Sequence, residues 1–208
     1  MKTCYIVGAG ELYGSFVKKD GDLVIAADGG YNALMKMNIT PDLLIGDMDS
    51  IKADTKEVER LIFPVRKDET DSFLAYREGV KRGYTDFALY GCVGGREDHT
   101  FANYSLLIYA KKRGHTVRLV GNGYETTALF SESAEIRGRV GDYISFFAFG
   151  GECEGVTLKG LEYPLDGYTL TPDFPLGVSN KFESECAEVT VKSGALLVMK
   201  ETGKVHSI

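Results

Sequence analysis

Leu23-Val24-Ile25-Ala26-Ala27-Asp28-Gly29-Gly30 is a short apolar run that stops on an acid and two glycines. The pattern recurs in Leu43-Leu44-Ile45-Gly46-Asp47-Met48-Asp49-Ser50, in Ile62-Phe63-Pro64-Val65 before Lys67-Asp68-Glu69-Thr70-Asp71-Ser72, and in Phe87-Ala88-Leu89-Tyr90 before Gly94-Gly95-Arg96-Glu97-Asp98-His99. Tyr5-Ile6-Val7 and Val117-Arg118-Leu119-Val120 complete the series, and segments of helical period lie between the runs. Short β-rich runs separated by helices predict a mostly parallel sheet with helices on both faces. On such a sheet the aspartates that follow the runs share one edge. Two bare carboxylates about 4 Å apart repel by roughly 4 kcal/mol at an effective dielectric near 20, so an acid-rich edge is built to meet cations.

Within this half, Phe73, Leu74, Tyr76, Arg77 and Val80 have the spacing of a helix with an apolar face, and Thr70 or Asp71 is placed to cap it. A second helix is expected to start at Asp98 or His99, carry Ala102, Leu106, Ile108 and Ala110, and stop at Gly114. After Asn122-Gly123 the helices cease. Thr126 to Phe130, Tyr143 to Phe149, Val156 to Leu158, Glu188 to Val191 and Ala195 to Met199 follow as strand-like runs between Gly, Pro and Asn, which reads as a C-terminal antiparallel β-sandwich. The expected domains are 1–122, α/β, and 123–208, all β.

The chain has 208 residues, with 30 acidic against 24 basic side chains and a formal net charge of -6, which argues against a general affinity for nucleic acid or anionic membrane. Cys4, Cys92, Cys153 and Cys186 are widely spaced and contain no C-x-x-C pair, so neither a zinc site nor a disulfide framework is suggested. The start of the chain lacks the apolar stretch of a signal peptide, and no run reaches the ~18 apolar residues of a membrane span. A cytoplasmic protein is expected.

Gly8-Ala9-Gly10 after the first strand invites a dinucleotide reading, with Asp28 near the distance of a ribose-binding acid. The third fingerprint position is Tyr13, and that reading leaves Asp47, Asp49, Asp71 and Asp98 without a task. No Walker loop occurs. Gly94-Gly95-Arg96 instead offers a glycine-rich turn, the donors of a following helix start and a guanidinium for phosphate oxygens, although an ordinary tight turn with a solvated arginine has the same letters. Asp47 and Asp49, two apart in an extended segment, point the same way and suit one hard cation with oxygen ligands. Asp28-Gly29 alone reads as a turn.

Taken together, Asp28-Gly29-Gly30, Gly46-Asp47-Met48-Asp49-Ser50, Lys67-Asp68-Glu69-Thr70-Asp71, Gly94-Gly95-Arg96-Glu97-Asp98-His99 with Asn103, and Gly177-Val178-Ser179-Asn180 resemble the bacterial thiamine pyrophosphokinase family along nearly the whole chain. The resemblance implies an N-terminal catalytic domain, a β-sandwich that binds thiamine, a homodimer with active sites between subunits, and the reaction ATP + thiamine → AMP + thiamine diphosphate. It implies Mg²⁺ on Asp47, Asp49 and Asp71, and the triphosphate on the Gly94-Gly95-Arg96-Glu97-Asp98 string. Lys67 and Asp68 are further candidates for ATP, and His99 and Asn103, four apart on the expected helix, share a face that can hold the nucleotide or Asp98. Ser179 and Asn180 match the residues that help bind thiamine. Asp98 is the candidate to accept or orient the hydroxyl proton, with Asp28 next in line and metal ligation as the other role for either, and Arg96 completes the catalytic set. The chain has no tryptophan, which leaves Tyr163 and Tyr168 as candidates to stack on thiamine. His115 and His206 read as structural. Another Mg²⁺-dependent phosphotransferase, or a nucleotide or thiamine sensor without turnover, would share the acidic edge.

Overall fold

The computed structural model of the chain describes residues 2–47, 58–64 and 68–203. Asp49, Lys67, Val65 and His206 lie outside the described residues. Among the described residues, contacts divide the chain into two compact units, one formed by residues up to Leu106 with Gly114–Asn122, the other by Leu107–Arg113 and residues 123–203.

The first unit runs β1 (Thr3–Val7), β2 (Leu23–Ala27), α1 (Gly30–Lys36), β3 (Leu43–Gly46), β4 (Glu59–Ile62), α2 (Asp71–Lys81), β5 (Asp86–Tyr90), the start of α3 (Glu97–Lys111) and β6 (Thr116–Val120). Its strands lie in the order β6-β5-β1-β2-β3-β4, and every neighbouring pair is parallel. β1, β2, β3 and β5 are buried along their whole length, as near-continuous apolar runs require. β4 departs from expectation: it spans Glu59–Ile62, earlier than the apolar string at Ile62, and its residues are mostly exposed. An edge strand pairs on one side only, so charged Glu59 and Arg60 are tolerated there.

Alternation along β1 sends Tyr5 and Val7 to one face and Cys4 to the other. α1 buries Tyr31 and Leu34 among Tyr5, Val7, Val24 and Ala26. α2 covers the opposite face, where a Cβ on Gly79 would come within 2.6 Å of the Phe87 ring and 3.0 Å of the Cys4 sulfur. Thr70, not Asp71, caps α2, its hydroxyl oxygen accepting the Phe73 N–H at 3.3 Å. That cap is worth about 1 kcal/mol and fixes Asp71 in the first turn. α3 begins at Glu97, and the chain turns at Gly114 with φ +78. The His115 Nδ1 lies 2.6 Å from the hydroxyl of buried Tyr76, a structural pairing as expected.

The second unit contains β7 (Tyr124–Phe130), β8 (Ser133–Arg137), β9 (Tyr143–Ala148), β10 (Cys153–Lys159), β11 (Leu165–Leu170), β12 (Asn180–Lys181), β13 (Cys186–Thr190) and β14 (Ala195–Glu201). Within it, antiparallel pairings give the orders β12-β9-β14-β7 and β11-β10-β13-β8. Phe146, Leu196 and Val198 from one sheet meet Val156, Leu158 and Val189 from the other in a single core, which makes the unit an antiparallel sandwich. The cysteines are free thiols, with Cys4, Cys92 and Cys153 buried. No helix among the described residues is long and apolar enough to cross a membrane.

Candidate active site

In the first sheet the chain winds outward from β1 to β4 on one side and continues through β5 to β6 on the other. Such a reversal opens a crevice at the carboxyl ends of the central strands, where open α/β sheets hold their ligands. A cavity of about 440 Å³ lies there, within the size range of small-molecule sites. Its wall comes from the segments after β1, β2 and β5 and from the first turns of α2 and α3. A shallower depression of about 360 Å³ near Phe16, Val17 and Met37 lacks convergent polar groups.

Glycines let the strand ends close on one another. The Gly8 N–H donates to the Tyr90 carbonyl and the Gly10 N–H to the Gly91 carbonyl, each at 2.8 Å. A Cβ on Gly8 or Gly10 would sit 2.6 or 2.8 Å from the Gly91 oxygen. The Gly8-Ala9-Gly10 string, readable as a dinucleotide fingerprint, is thus required by backbone approach between the β1 and β5 loops.

Asp28 and Asp71 line this cavity together. Asp28 has φ +49, an uncommon backbone for a residue with a side chain. Its N–H donates to the Ile45 carbonyl at 2.7 Å, which holds the turn against β3. Asp47 follows β3, the neighbour of β2, and so stands at the same carboxyl edge. Gly94, Gly95, Arg96, His99 and Asn103 also line the cavity. Asp68 is exposed just before α2 and does not line it.

Arg96 and Asp98 form an exposed two-point ion pair, with Nη2 to Oδ2 at 2.6 Å and Nε to Oδ1 at 3.1 Å. The hydrogen bond from Arg96 holds the Asp98 carboxyl below the usual carboxylate range. A carboxylate so engaged is a weaker proton acceptor than its residue type suggests. Asn103 and His99, four apart on α3, differ in setting: His99 is exposed and Asn103 is 4% exposed. Ser72 and Cys92 also line the wall, and the sequence, which placed them in strings of interest, assigned neither a role. Burial pushes the Cys92 thiol up to about 12, so it is inert at neutral pH.

In the second unit Ser179 is exposed with φ +60, and its N–H donates to the Ser145 hydroxyl at 3.0 Å. Asn180 is buried. Its Oδ1 accepts from the Tyr163 and Lys181 N–H groups at 2.9 Å each, and its Nδ2 donates to the Tyr163 carbonyl at 2.7 Å. Tyr163 and Tyr168 are 60% and 46% exposed.

The family model described as Thiamin pyrophosphokinase, catalytic domain, matches residues 16–119, half of the chain, and the one described as Thiamin pyrophosphokinase, vitamin B1 binding domain, matches residues 133–196. The chain belongs to the thiamin pyrophosphokinase family. A thiamine pyrophosphokinase of Bacillus subtilis is 27% identical over 97% of this chain and 100% of its own length, and one of Oryza sativa is 26% identical over 82% of this chain and 76% of its own. A crystal structure of thiamine pyrophosphokinase from Bacillus subtilis superposes with a TM-score of 0.88 at 26% identity, covering 97% of this chain and 99% of that one. Thiamin pyrophosphokinases transfer the diphosphoryl group of ATP to thiamine, so the chain is a transferase and kinase of thiamine diphosphate synthesis.

Proposed function

We propose that the carboxyl edge of the parallel sheet carries this reaction, with ATP across the cavity of the first unit and thiamine held by the second. The observation that carries the reading is that Asp28, Asp71, Gly94, Gly95 and Arg96, far apart in sequence, line one cavity at the switch point of the sheet. The thiamine hydroxyl attacks the β-phosphorus of ATP in line and AMP departs, so the protein's task is positioning and charge. Arg96 grips phosphate oxygens with the same two-point geometry it offers Asp98. Asp98 orients Arg96 when phosphate is absent, and Asp28 accepts the hydroxyl proton. His99 contacts the nucleotide at the cavity mouth, and Lys67, which precedes α2 in the sequence, adds a cation for the triphosphate.

Asp47, Asp49 and Asp71 would hold Mg²⁺. The donor chemistry fits, because all three are hard oxygen ligands, and of the two among the described residues Asp71 lines the cavity and Asp47 follows β3 at the same carboxyl edge. Mg²⁺ commonly takes one or two carboxylates and completes its shell with water and substrate phosphates. When bound it neutralises charge on the transferring phosphoryl oxygens.

Ser179 contacts thiamine directly, on a turn that Asn180 secures through its bonds to Tyr163. The working assembly is a homodimer in the cytoplasm, a reading supported by the family resemblance and the free thiols. Ser179→Ala tests the division of labour between the units. Isothermal titration should give thiamine affinity lowered about tenfold, as for one lost hydrogen bond at a binding site, with ATP affinity unchanged. Weakened ATP binding with thiamine affinity intact would contradict the assignment.

A further inference from the structure

Asp71 opens α2, whereas Gly94, Gly95 and Arg96 belong to the loop after β5, and a buried polar chain connects the two. The Ser72 hydroxyl donates to Asn103 Oδ1 at 2.7 Å. Asn103 Nδ2 in turn donates to the Cys92 carbonyl at 2.7 Å, inside the β5 loop. The Thr70 hydroxyl, which caps α2, lies 3.2 Å from the Ser72 hydroxyl. Ser72 is 9% and Asn103 4% exposed. Both polar atoms of the Asn103 amide are therefore engaged with protein, which makes it a tie between α2, α3 and the β5 loop.

We infer that Ser72 is a positioning residue of the diphosphoryl transfer, acting through Asn103 to hold Asp71 in register with the phosphate-binding loop. The inference deepens the proposed function and rests on Asp71 belonging to the reacting site. The physical case is specific. Ser72 adjoins Asp71 on the first helical turn, so a hydroxyl anchored to α3 restricts the same backbone that carries the acid. The other end of the tie is the carbonyl of Cys92, two residues before Gly94, so the loop that cradles phosphate is fixed by the same amide. A misplacement on the order of 1 Å in a positioned group costs up to about a hundredfold in rate.

The test is steady-state kinetics on purified Ser72→Ala, Ser72→Thr and Asn103→Ala, on the double variant Ser72→Ala with Asn103→Ala, and on Asp71→Asn in parallel, with melting curves for each. For Ser72→Ala the expected result is kcat lowered on the order of tenfold, the Mg²⁺ concentration for half-maximal rate raised severalfold, and KM for thiamine unchanged. Ser72→Thr, which keeps the hydroxyl, should restore most of the rate. The double variant should be no slower than Asn103→Ala alone, because both changes cut one chain. Wild-type kcat and Mg²⁺ response in Ser72→Ala, or additive losses in the double variant, would overturn the inference. Asp71→Asn separates the two levels: if it is inactive while Ser72→Ala is normal, the tie fails and the site stands, and if Asp71→Asn is active, the site reading fails with it.

Discussion

Asp71→Asn should lower turnover by about three orders of magnitude, the loss expected when a group that stabilises transition-state charge is removed. Asn has the shape of Asp and lacks the charge, so on the proposed role of Asp71 as a Mg²⁺ ligand the change removes a hard anionic donor while keeping the side chain's size. The fold should survive. Thr70 caps α2 through its own hydroxyl and is untouched. Asp71 has favourable charge at a helix start, so its neutralisation costs about 0.3–1 kcal/mol of stability, which moves the melting temperature by a few degrees. Kinetics and a melting curve on the same preparation check both halves. Near-normal turnover would remove Asp71 from the site.

Gly30→Ala should be the most damaging single methyl in the first unit. A Cβ at Gly30 would lie 1.8 Å from the Val7 carbonyl oxygen, 2.5 Å from its carbon and 3.0 Å from the Gly8 oxygen. All three atoms are backbone at the end of β1, which pairs with β2 on one side and β5 on the other, so neither the strand nor the oxygen can step aside. α1 must move instead, and its start is two residues from Asp28. Overpacking of this kind costs about 3 kcal/mol or more, which for a chain of this size lowers the melting temperature by roughly 6–12 °C. Gly151→Ala is the control: a Cβ there meets nothing within 4 Å, and the change should fall within about 0.5 kcal/mol of neutral. Equal melting temperatures for the two variants would contradict the packing of α1 on β1.

The parts of the fold legible in the sequence are those with at least one well-buried face, such as β7, β9 and β13 in the second unit, and most plainly those buried on both sides. β1, β2, β3 and β5 are runs of apolar residues because each lies inside a covered sheet, and that demand is written directly in the letters. The strands that escaped notice or drifted are edges. β4 carries Glu59 and Arg60, β8 alternates exposed and half-buried residues, and β11 is mostly exposed. Each ends its sheet or its part of one, so little apolar surface is needed to hold it. α1 was hidden for another reason: Asp28-Gly29-Gly30 has the letters of a turn, while Gly30 is there so that a helix can press on β1.

The site divides the same way. Aspartates after apolar runs announce themselves, and Asp28 and Asp71 do line one cavity. Ser72 does not, because its meaning depends on Asn103, 31 residues later, reaching it in the folded state. Asn103 was legible as a site residue from its company, but its buried amide is occupied by Ser72 and Cys92. The Gly8-Ala9-Gly10 string was legible only as a cofactor motif, and the contact that explains it lies with Gly91 across the sheet.

The most direct measurement is to incubate the purified protein with ATP, Mg²⁺ and thiamine and to resolve the nucleotide and thiamine products, with thiamine omitted in the control. AMP formed only with thiamine, in equal amount with thiamine diphosphate, is the expected result. ADP with thiamine monophosphate, or AMP released at the same rate without thiamine, would contradict diphosphoryl transfer at this edge.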